Sequence, residues 1–111
     1  SRWAVTSSHA MLPRTGNALW HLLHGYARAL PEGPHSEEQQ AQARAFLTTF
    51  DQAVQIASAG TCQCHQHWAA IRAARPPVLT SRRAFWWWTA AIHDDVNVRL
   101  GKPRLYPDLR Q

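Results

Sequence analysis

The stretch TSRRAFWWWTAAIHDDVNVRLGKP, residues 80–103, decides the fold. It opens with Thr80 and Ser81, two residues that readily cap the amino end of a helix. It closes with Gly101 and Pro103, which are typical of positions just beyond a helix carboxyl end. These signals at both ends predict one long helix that fills the stretch.

Four consecutive aromatic residues, FWWW at positions 85–88, lie inside this predicted helix. The apolar stripe with helical spacing consists of Phe85, Trp88, Ile92 and Val96. Trp86 and Trp87 cannot share that stripe, because successive side chains point all round a helix. We expect them to form a ligand wall or a partner surface, and an isologous homodimer is the commonest such arrangement.

Two helical patterns stand at the start of the chain. The first runs from Gly16 to the break at Pro31, and its predicted apolar face is Leu19, Leu22, Leu23, Tyr26 and Leu30. The second begins after Ser36, which has the spacing of a capping box with Gln39. Its predicted apolar face is Ala43, Phe46, Leu47, Phe50, Val54 and Ile56.

A third helical pattern starts near Thr61 or Cys62 and runs to Ala74, before the break at Pro76-Pro77. No strand or hairpin pattern competes anywhere in the sequence. We therefore predict an all-α fold, a compact four-helix bundle.

Composition narrows the class of protein. The chain has 111 residues, 45% of them hydrophobic, which fits one folded domain. No apolar run approaches the roughly 20 residues that span a bilayer, so we expect no membrane span. The net charge is +5, but the arginines are scattered. We expect no specific nucleic-acid partner, and a diffuse positive charge suits an anionic ligand better.

The only two cysteines lie in the segment Thr61-Cys62-Gln63-Cys64-His65-Gln66-His67. Because they are one residue apart, a bridge between them would close a very small loop and add little stability. The segment therefore predicts either a redox-active disulfide or a metal site built from Cys62, Cys64, His65 and His67. A helix amino end at this point would lower the pKa of a cysteine thiol and favour the thiolate.

Two pairs of residues with helical spacing stand elsewhere in the chain. Trp20 and His24 are four apart in the first helix, and His93 and Asn97 are four apart in the last. Cationic Arg99 and Lys102 follow the second pair. An indole, imidazoles and an amide with cations nearby suit a planar cofactor that carries phosphates.

At these residues the sequence resembles the Erv/ALR family of FAD-linked sulfhydryl oxidases. The resemblance rests on Phe85-x-x-Trp88-x-x-x-x-His93-x-x-Val96-Asn97-x-x-Leu100-Gly101-Lys102-Pro103 and on Trp20-x-x-Leu23-His24, with Gly16 four residues earlier. It divides the chain into an irregular segment (1–15), an FAD-binding helical domain (16–106) and a tail (107–111).

The resemblance implies a helical bundle that holds FAD at its mouth and forms a homodimer. It implies that a dithiol or protein-thiol substrate is oxidised to a disulfide, with oxygen as electron acceptor and hydrogen peroxide as product. Cys62 and Cys64 take the catalytic positions. The cofactor-binding positions are Gly16, Trp20, His24, Cys64, Trp88, His93, Val96, Asn97, Arg99 and Lys102. The family's habit also implies an oxidising compartment, such as an intermembrane space, a secretory lumen, a bacterial envelope or a viral context.

The sequence departs from the family in its cysteines. The family's redox pair is Cys-x-x-Cys, whereas here Thr61 stands at the first cysteine position and Cys62 is one residue closer to Cys64. Ala84 and Tyr106 stand where the family has structural cysteines. Two alternatives therefore stay open: a non-enzymatic Erv-like FAD-binding or dimeric interaction module, and a Cys/His metal-binding protein.

Overall fold

Four helices make up the part of the chain that the computed structural model describes, residues 13–58 and 64–106. They are α1 (Pro13–Ala29), α2 (Glu37–Ser58), α3 (Cys64–Ala74) and α4 (Arg82–Arg99). Within those two ranges there is no β-strand, only an isolated bridge between Pro34 and Ser81. The predicted all-α four-helix bundle is confirmed. None of the described helices is long and apolar enough to cross a bilayer.

Helix α1 begins three residues before the predicted start at Gly16. Proline is well tolerated at a first helical position, since its missing N–H has no partner there, so Pro13 can open the helix. Leu23 is fully buried, as predicted, but Leu22 is 50% exposed. The prediction for Leu22 was wrong, because that residue lies at the edge of the apolar face and no other helix covers it.

Helix α2 has the predicted capping box. Gln39 N donates to Ser36 Oγ at 3.1 Å, and Ser36 N donates back to the Gln39 side-chain oxygen at 2.8 Å. Val54 is buried, whereas Ile56 is 77% exposed. Ile56 was wrongly placed on the apolar face, because a position two residues from Val54 points about 200° away from it.

Helix α3 is described from Cys64 onward, so the predicted start at Thr61 or Cys62 lies outside the described residues. Helix α4 has Ser81 as its amino cap, and the Ser81 side chain accepts a hydrogen bond from Ala84 N at 3.0 Å. At its other end Gly101 has φ +74°, a left-handed conformation that glycine adopts at little cost. Both predicted ends of this helix are confirmed.

The core lies where the four helices meet. Helix α1 packs most extensively against α4, and α2 packs most extensively against α3. The predicted stripe on α4 contributes Phe85, Trp88 and Ile92, all buried, with Val96 at the core's edge. The first and last helices of the chain are therefore neighbours, and residues from both meet in one place.

Candidate functional site

The two predicted residue pairs come together between α1 and α4. The rings of Trp20 and His93 stack with centroids 3.8 Å apart and planes 11° apart. Trp20 also stacks on His24, with centroids 5.9 Å apart. Because Trp20 and His93 are already in contact, a planar ligand would meet their outer faces or edges, with no room between them.

Trp20, His24 and His93 form an aromatic–histidine cluster. Hydrogen bonds run in series through its two histidines. His24 Nε2 lies 3.0 Å from His93 Nδ1, and His24 Nδ1 lies 3.0 Å from Thr89 Oγ1. The Thr89 hydroxyl donates to the backbone carbonyl of Trp86 at 2.7 Å. Two imidazoles and a hydroxyl are thus joined across the α1–α4 interface.

Burial keeps both imidazoles uncharged near neutral pH. The pKa of His24 is lowered from 6.5 to about 4, first by burial and then by the neighbouring charges of His93, Arg28 and His21. The pKa of His93 is also lowered, mainly by burial. Asp94 acts in the opposite direction on His93, and Lys102 acts with the burial. The site therefore presents neutral rings with a cationic side chain close by.

Tyr106 and Trp86 extend the aromatic surface around the histidines. Their rings meet edge to face with centroids 5.8 Å apart, and the Tyr106 ring is 6.4 Å from that of His93. Asp94 is fully buried, and its carboxylate accepts from Leu105 N at 2.6 Å and from Tyr106 N at 2.8 Å. This buried carboxylate fixes the segment after α4 and holds Tyr106 against the cluster.

Helix α3, which begins at Cys64, reaches the cluster through Trp68. Its ring meets that of Trp20 edge to face, with centroids 6.1 Å apart. Cys64, the first residue of α3, precedes Trp68 by four residues, or about 6 Å along a helix axis. Cys62 lies outside the described residues, as do the side chains of Cys64 and His65.

Asp51 on α2 fixes the orientation of α3. Its carboxylate accepts from the Trp68 indole nitrogen at 2.7 Å and from two nitrogens of Arg72, at 2.9 and 3.1 Å. One acidic side chain therefore accepts from three nitrogens on two side chains of α3. The position of Trp68 against Trp20 depends on this contact.

The other predicted cofactor residues on α4 lie around its last turns. Asn97 is buried, and its carbonyl accepts from Lys102 N at 2.8 Å. Val96 packs at the edge of the core. The charge of Lys102 lies close enough to lower the pKa of His93, whereas Arg99 is exposed in the final turn.

Two predicted cofactor residues stand apart from the cluster. Gly16 lies one turn before Trp20, and a side chain at that position would meet no other atom within 4 Å. Trp88 is 4% exposed and donates its indole N–H to the Arg75 carbonyl at 3.0 Å. The structure therefore places Trp88 in the core and does not bring it to the aromatic–histidine cluster.

Sequence reasoning missed Thr89 and Tyr106, and it left the role of Trp86 open. Trp86, Thr89, His93 and Asn97 follow one another at steps of three, four and four, which is one face of a helix. That spacing could have shown that Thr89 faces α1 together with His93. Tyr106 lies beyond the helix, and no spacing signals its position.

A cavity of about 560 Å³ lies on another side of the bundle. Its lining comes from α2, from Arg72 on α3 and from the segment before α4: Gln40, Arg44, Leu47, Thr48, Arg72, Pro77, Val78, Leu79 and Thr80. None of these residues belongs to the aromatic–histidine cluster. The cavity is therefore separate from the cluster.

Comparison with known proteins identifies the family of the chain. The chain matches the Erv1/Alr family over residues 17–109. It belongs to the Erv1/Alr family. No curated protein matches the chain.

Solved structures show the same fold. The FAD-binding domain of Erv1 from Saccharomyces cerevisiae is 26% identical, with a TM-score of 0.70 and 87% of each chain covered. A cysteine-to-serine double mutant of Erv1 from the same organism is 24% identical, with a TM-score of 0.70. In that comparison 86% of this chain and 76% of the mutant chain are covered.

Proposed function

We propose that this protein is an FAD-dependent sulfhydryl oxidase. Two substrate thiols, on a small dithiol or a protein, become a disulfide while oxygen becomes hydrogen peroxide. The observation that carries the proposal is the contact between Trp68 and Trp20, with ring centroids 6.1 Å apart. It links the cysteine-bearing helix to the aromatic–histidine cluster, and the 26% identical Erv1 domain is described as FAD-binding.

The donor set of the cluster fits a flavin nucleotide. Trp20, His24 and His93 offer neutral ring surfaces and ring nitrogens, and cations suit a diphosphate. The residues that would hold FAD are Trp20, His24, His93, Val96 and Asn97, with Arg99 and Lys102 near the phosphates. Gly16, Cys64 and Trp88 remain predicted contacts. Bound FAD would accept two electrons from the thiols and pass them to oxygen.

The chain's own cysteines would carry the thiol–disulfide exchange. A substrate thiolate attacks Cys62 of the Cys62–Cys64 disulfide, forming a mixed disulfide and releasing Cys64 as a thiolate. A second substrate thiol displaces Cys62, so that the substrate leaves oxidised and the protein pair is left reduced. Since Cys64 is the first residue of α3, the helix dipole would stabilise its thiolate.

We also propose that two copies form a homodimer. Large apolar side chains are exposed on the described surface of α1 and α4, among them Leu22 at 50% and Trp87 at 40%. Such side chains favour burial against a partner. Light scattering on the purified chain is expected to give twice the mass of 12.6 kDa, and a monomer at micromolar concentration would contradict a stable dimer.

The decisive experiment measures flavin absorbance and oxygen uptake on the same purified protein. We expect a flavin spectrum that bleaches with dithiothreitol when oxygen is excluded, and dithiothreitol-dependent oxygen uptake in air. Cys64→Ser should keep the flavin and lose oxygen uptake by at least about 100-fold, because the thiolate is the reactive species. Ser58→Ala, at the buried last residue of α2, serves as a control for a small change six residues before Cys64.

Three results would contradict this proposal. Oxygen uptake that survives Cys64→Ser would contradict the role of the cysteine pair. A flavin spectrum without any turnover of dithiothreitol would instead favour the FAD-binding module. Stoichiometric zinc with no flavin would favour the metal-binding alternative.

A further inference from the structure

Thr89 lies behind the two histidines, away from the outer surface of the cluster, and is fully buried. We propose that Thr89 is a positioning residue whose hydroxyl fixes the tautomers of His24 and His93. In this arrangement Nε2 of His93 carries a lone pair and accepts a hydrogen bond from the bound ligand. The ligand group at that point must then be a donor, such as a hydroxyl or an N–H.

The Thr89 hydroxyl has a single proton, and two potential acceptors lie within its reach. Thr89 Oγ1 lies 2.7 Å from the Trp86 carbonyl oxygen and 3.0 Å from His24 Nδ1. Two oxygens at 2.7 Å with no proton between them would bring lone pairs into contact, so the hydroxyl must donate to the carbonyl. Thr89 therefore accepts from His24, and His24 Nδ1 carries the hydrogen.

The tautomer of His24 determines the tautomer of His93. A neutral imidazole has one N–H and one lone pair, so a hydrogen on Nδ1 leaves His24 Nε2 as an acceptor. Its partner at 3.0 Å, His93 Nδ1, must then be the donor. By the same rule His93 Nε2 has the lone pair. The lowered pKa of both rings agrees with neutral imidazoles.

The same hydrogen bonds also fix the orientation of the His93 ring. The planes of the His93 and Trp20 rings are 11° apart, with centroids 3.8 Å apart. The hydrogen bond from His93 to His24 fixes the rotation of the His93 ring within that stack. Without the Thr89 hydroxyl, His24 would lose the acceptor for its Nδ1–H, and either nitrogen could then carry the hydrogen. The acceptor on His93 would no longer be fixed. That the ligand is FAD rests on the proposed function, whereas the tautomer order does not.

The first test is nitrogen-15 NMR of histidine side chains in the full chain without ligand, at neutral pH. We expect the wild-type protein to show His24 and His93 as Nδ1–H tautomers. Thr89→Val removes the hydroxyl at nearly constant volume and should give mixed tautomers at both rings, while Thr89→Ser should keep the wild-type pattern. Thr48→Val is the matched control, since the Thr48 hydroxyl also donates to a carbonyl in its own helix, at 3.1 Å, but is exposed on α2.

The second test is FAD affinity, measured by quenching of flavin fluorescence. Thr89→Val should bind FAD about tenfold more weakly, the effect of one lost neutral hydrogen bond. Thr89→Ser and Thr48→Val should stay within about twofold of the wild type, on the same scale. If Thr89→Val does not fold, Thr89→Ala removes the same hydroxyl and takes its place.

Three results would overturn the inference: an Nε2–H tautomer at His24 in the wild type, an unchanged tautomer pattern in Thr89→Val, or a Thr89→Ser protein that behaves like Thr89→Val. Failure of every form, wild type included, to bind FAD would reject the proposed cofactor. In that case the NMR result alone would decide the role of Thr89, so the two failures are distinguishable.

Discussion

The two main helix contacts of the bundle handle their polar groups in opposite ways. Between α1 and α4, His24 and His93 are half-buried, neutral and hydrogen-bonded in series. Between α2 and α3, the partners are charged. A carboxylate oxygen of Asp51 forms an ion pair with a guanidinium nitrogen of Arg72 at 2.9 Å, and both side chains remain partly exposed. All four side chains are only partly buried, so the two contacts differ in the charge of their partners.

This difference follows from the cost of removing charge from water. Burying an ion costs far more than burying a neutral ring whose nitrogens are hydrogen-bonded. A neutral surface can therefore receive a large flat ligand without stripping water from an ion pair. The charged contact suits another task, which is to hold α3, and with it Trp68, against Trp20.

Removing Trp20 should give the largest effect on ligand binding. Trp20→Ala deletes the ring that stacks on both histidines, and we expect FAD to bind about 100-fold more weakly, from lost aromatic contact area. The control is Trp87→Ala, which removes an indole that is 40% exposed on α4. Isothermal titration calorimetry measures the FAD affinity of both variants. Equal losses of affinity would contradict the role of the Trp20 ring in ligand binding.

Asp94 and Asp95 offer a second test, because two adjacent carboxylates have different surroundings. Asp94→Ala leaves two backbone N–H groups without their acceptor and should cost about 3 kcal/mol of unfolding free energy. Asp95 forms an ion pair with Arg75 at 2.5 Å at the partly exposed surface, so Asp95→Ala should cost about 1 kcal/mol or less. Urea denaturation measures both. Equal losses would contradict the buried role of Asp94.

The pH dependence of stability tests the neutral contact. His24 has a folded pKa of about 4, below its ordinary 6.5, so between these values the unfolded chain binds a proton that the folded chain does not. The contribution of neutral His24 to the unfolding free energy is therefore complete above about pH 6.5 and is lost as the pH falls toward 4. Because the ring is partly exposed, we expect a loss of about 1–2 kcal/mol after allowing for solvent screening.

Urea denaturation at several pH values, from neutral down to about 4, measures this loss. The His24→Gln variant should lose this part of the pH dependence. The matched control is His21→Gln, which changes an exposed histidine of the same helix. It should keep most of the pH dependence, because burial is the largest cause of the lowered pKa of His24. The same slope in His24→Gln as in the wild type would show that other groups dominate.

Salt should give the smallest effect and should separate the two contacts. Asp51→Asn keeps an acceptor for the Trp68 indole but removes the charge opposite Arg72, and should cost about 1 kcal/mol. In about 1 M salt this difference should shrink, because exposed charges are screened. Thr89→Val removes hydrogen bonds between neutral groups, so its unfolding free energy relative to wild type should not change with salt. Equal salt sensitivity would contradict the assignment of one contact as charged and the other as neutral.

Much of the fold could be predicted because its signals are local. The Ser36–Gln39 capping box, the Ser81 cap and the left-handed Gly101 each depend on a few neighbouring residues. The predicted burial of Leu22 and Ile56 was wrong because it depends on contacts that are not local. Whether an apolar residue near the edge of a helix face becomes covered depends on the neighbouring helix, which the sequence of one helix does not specify.

The candidate site could be predicted in part. Spacing placed Trp20 with His24 and His93 with Asn97, and their meeting follows from the packing of α1 on α4. The order of donors through Thr89 depends on distances across that interface and has no counterpart in a spacing pattern. The roles of Cys62 and Cys64 stay predictions, since their side chains lie outside the described residues.

The partnership between the first and last helices has a consequence for how the protein folds. The His24–Thr89 and His24–His93 hydrogen bonds join residues that are 65 and 69 positions apart in the chain. The residues that join α2 to α3 are much closer in sequence, 17 and 21 positions apart. Contacts between distant residues carry a greater entropy cost of loop closure and tend to form late. During synthesis, no binding surface can assemble until α4 and Tyr106 have emerged. Capture of the ligand would therefore report a completely folded chain.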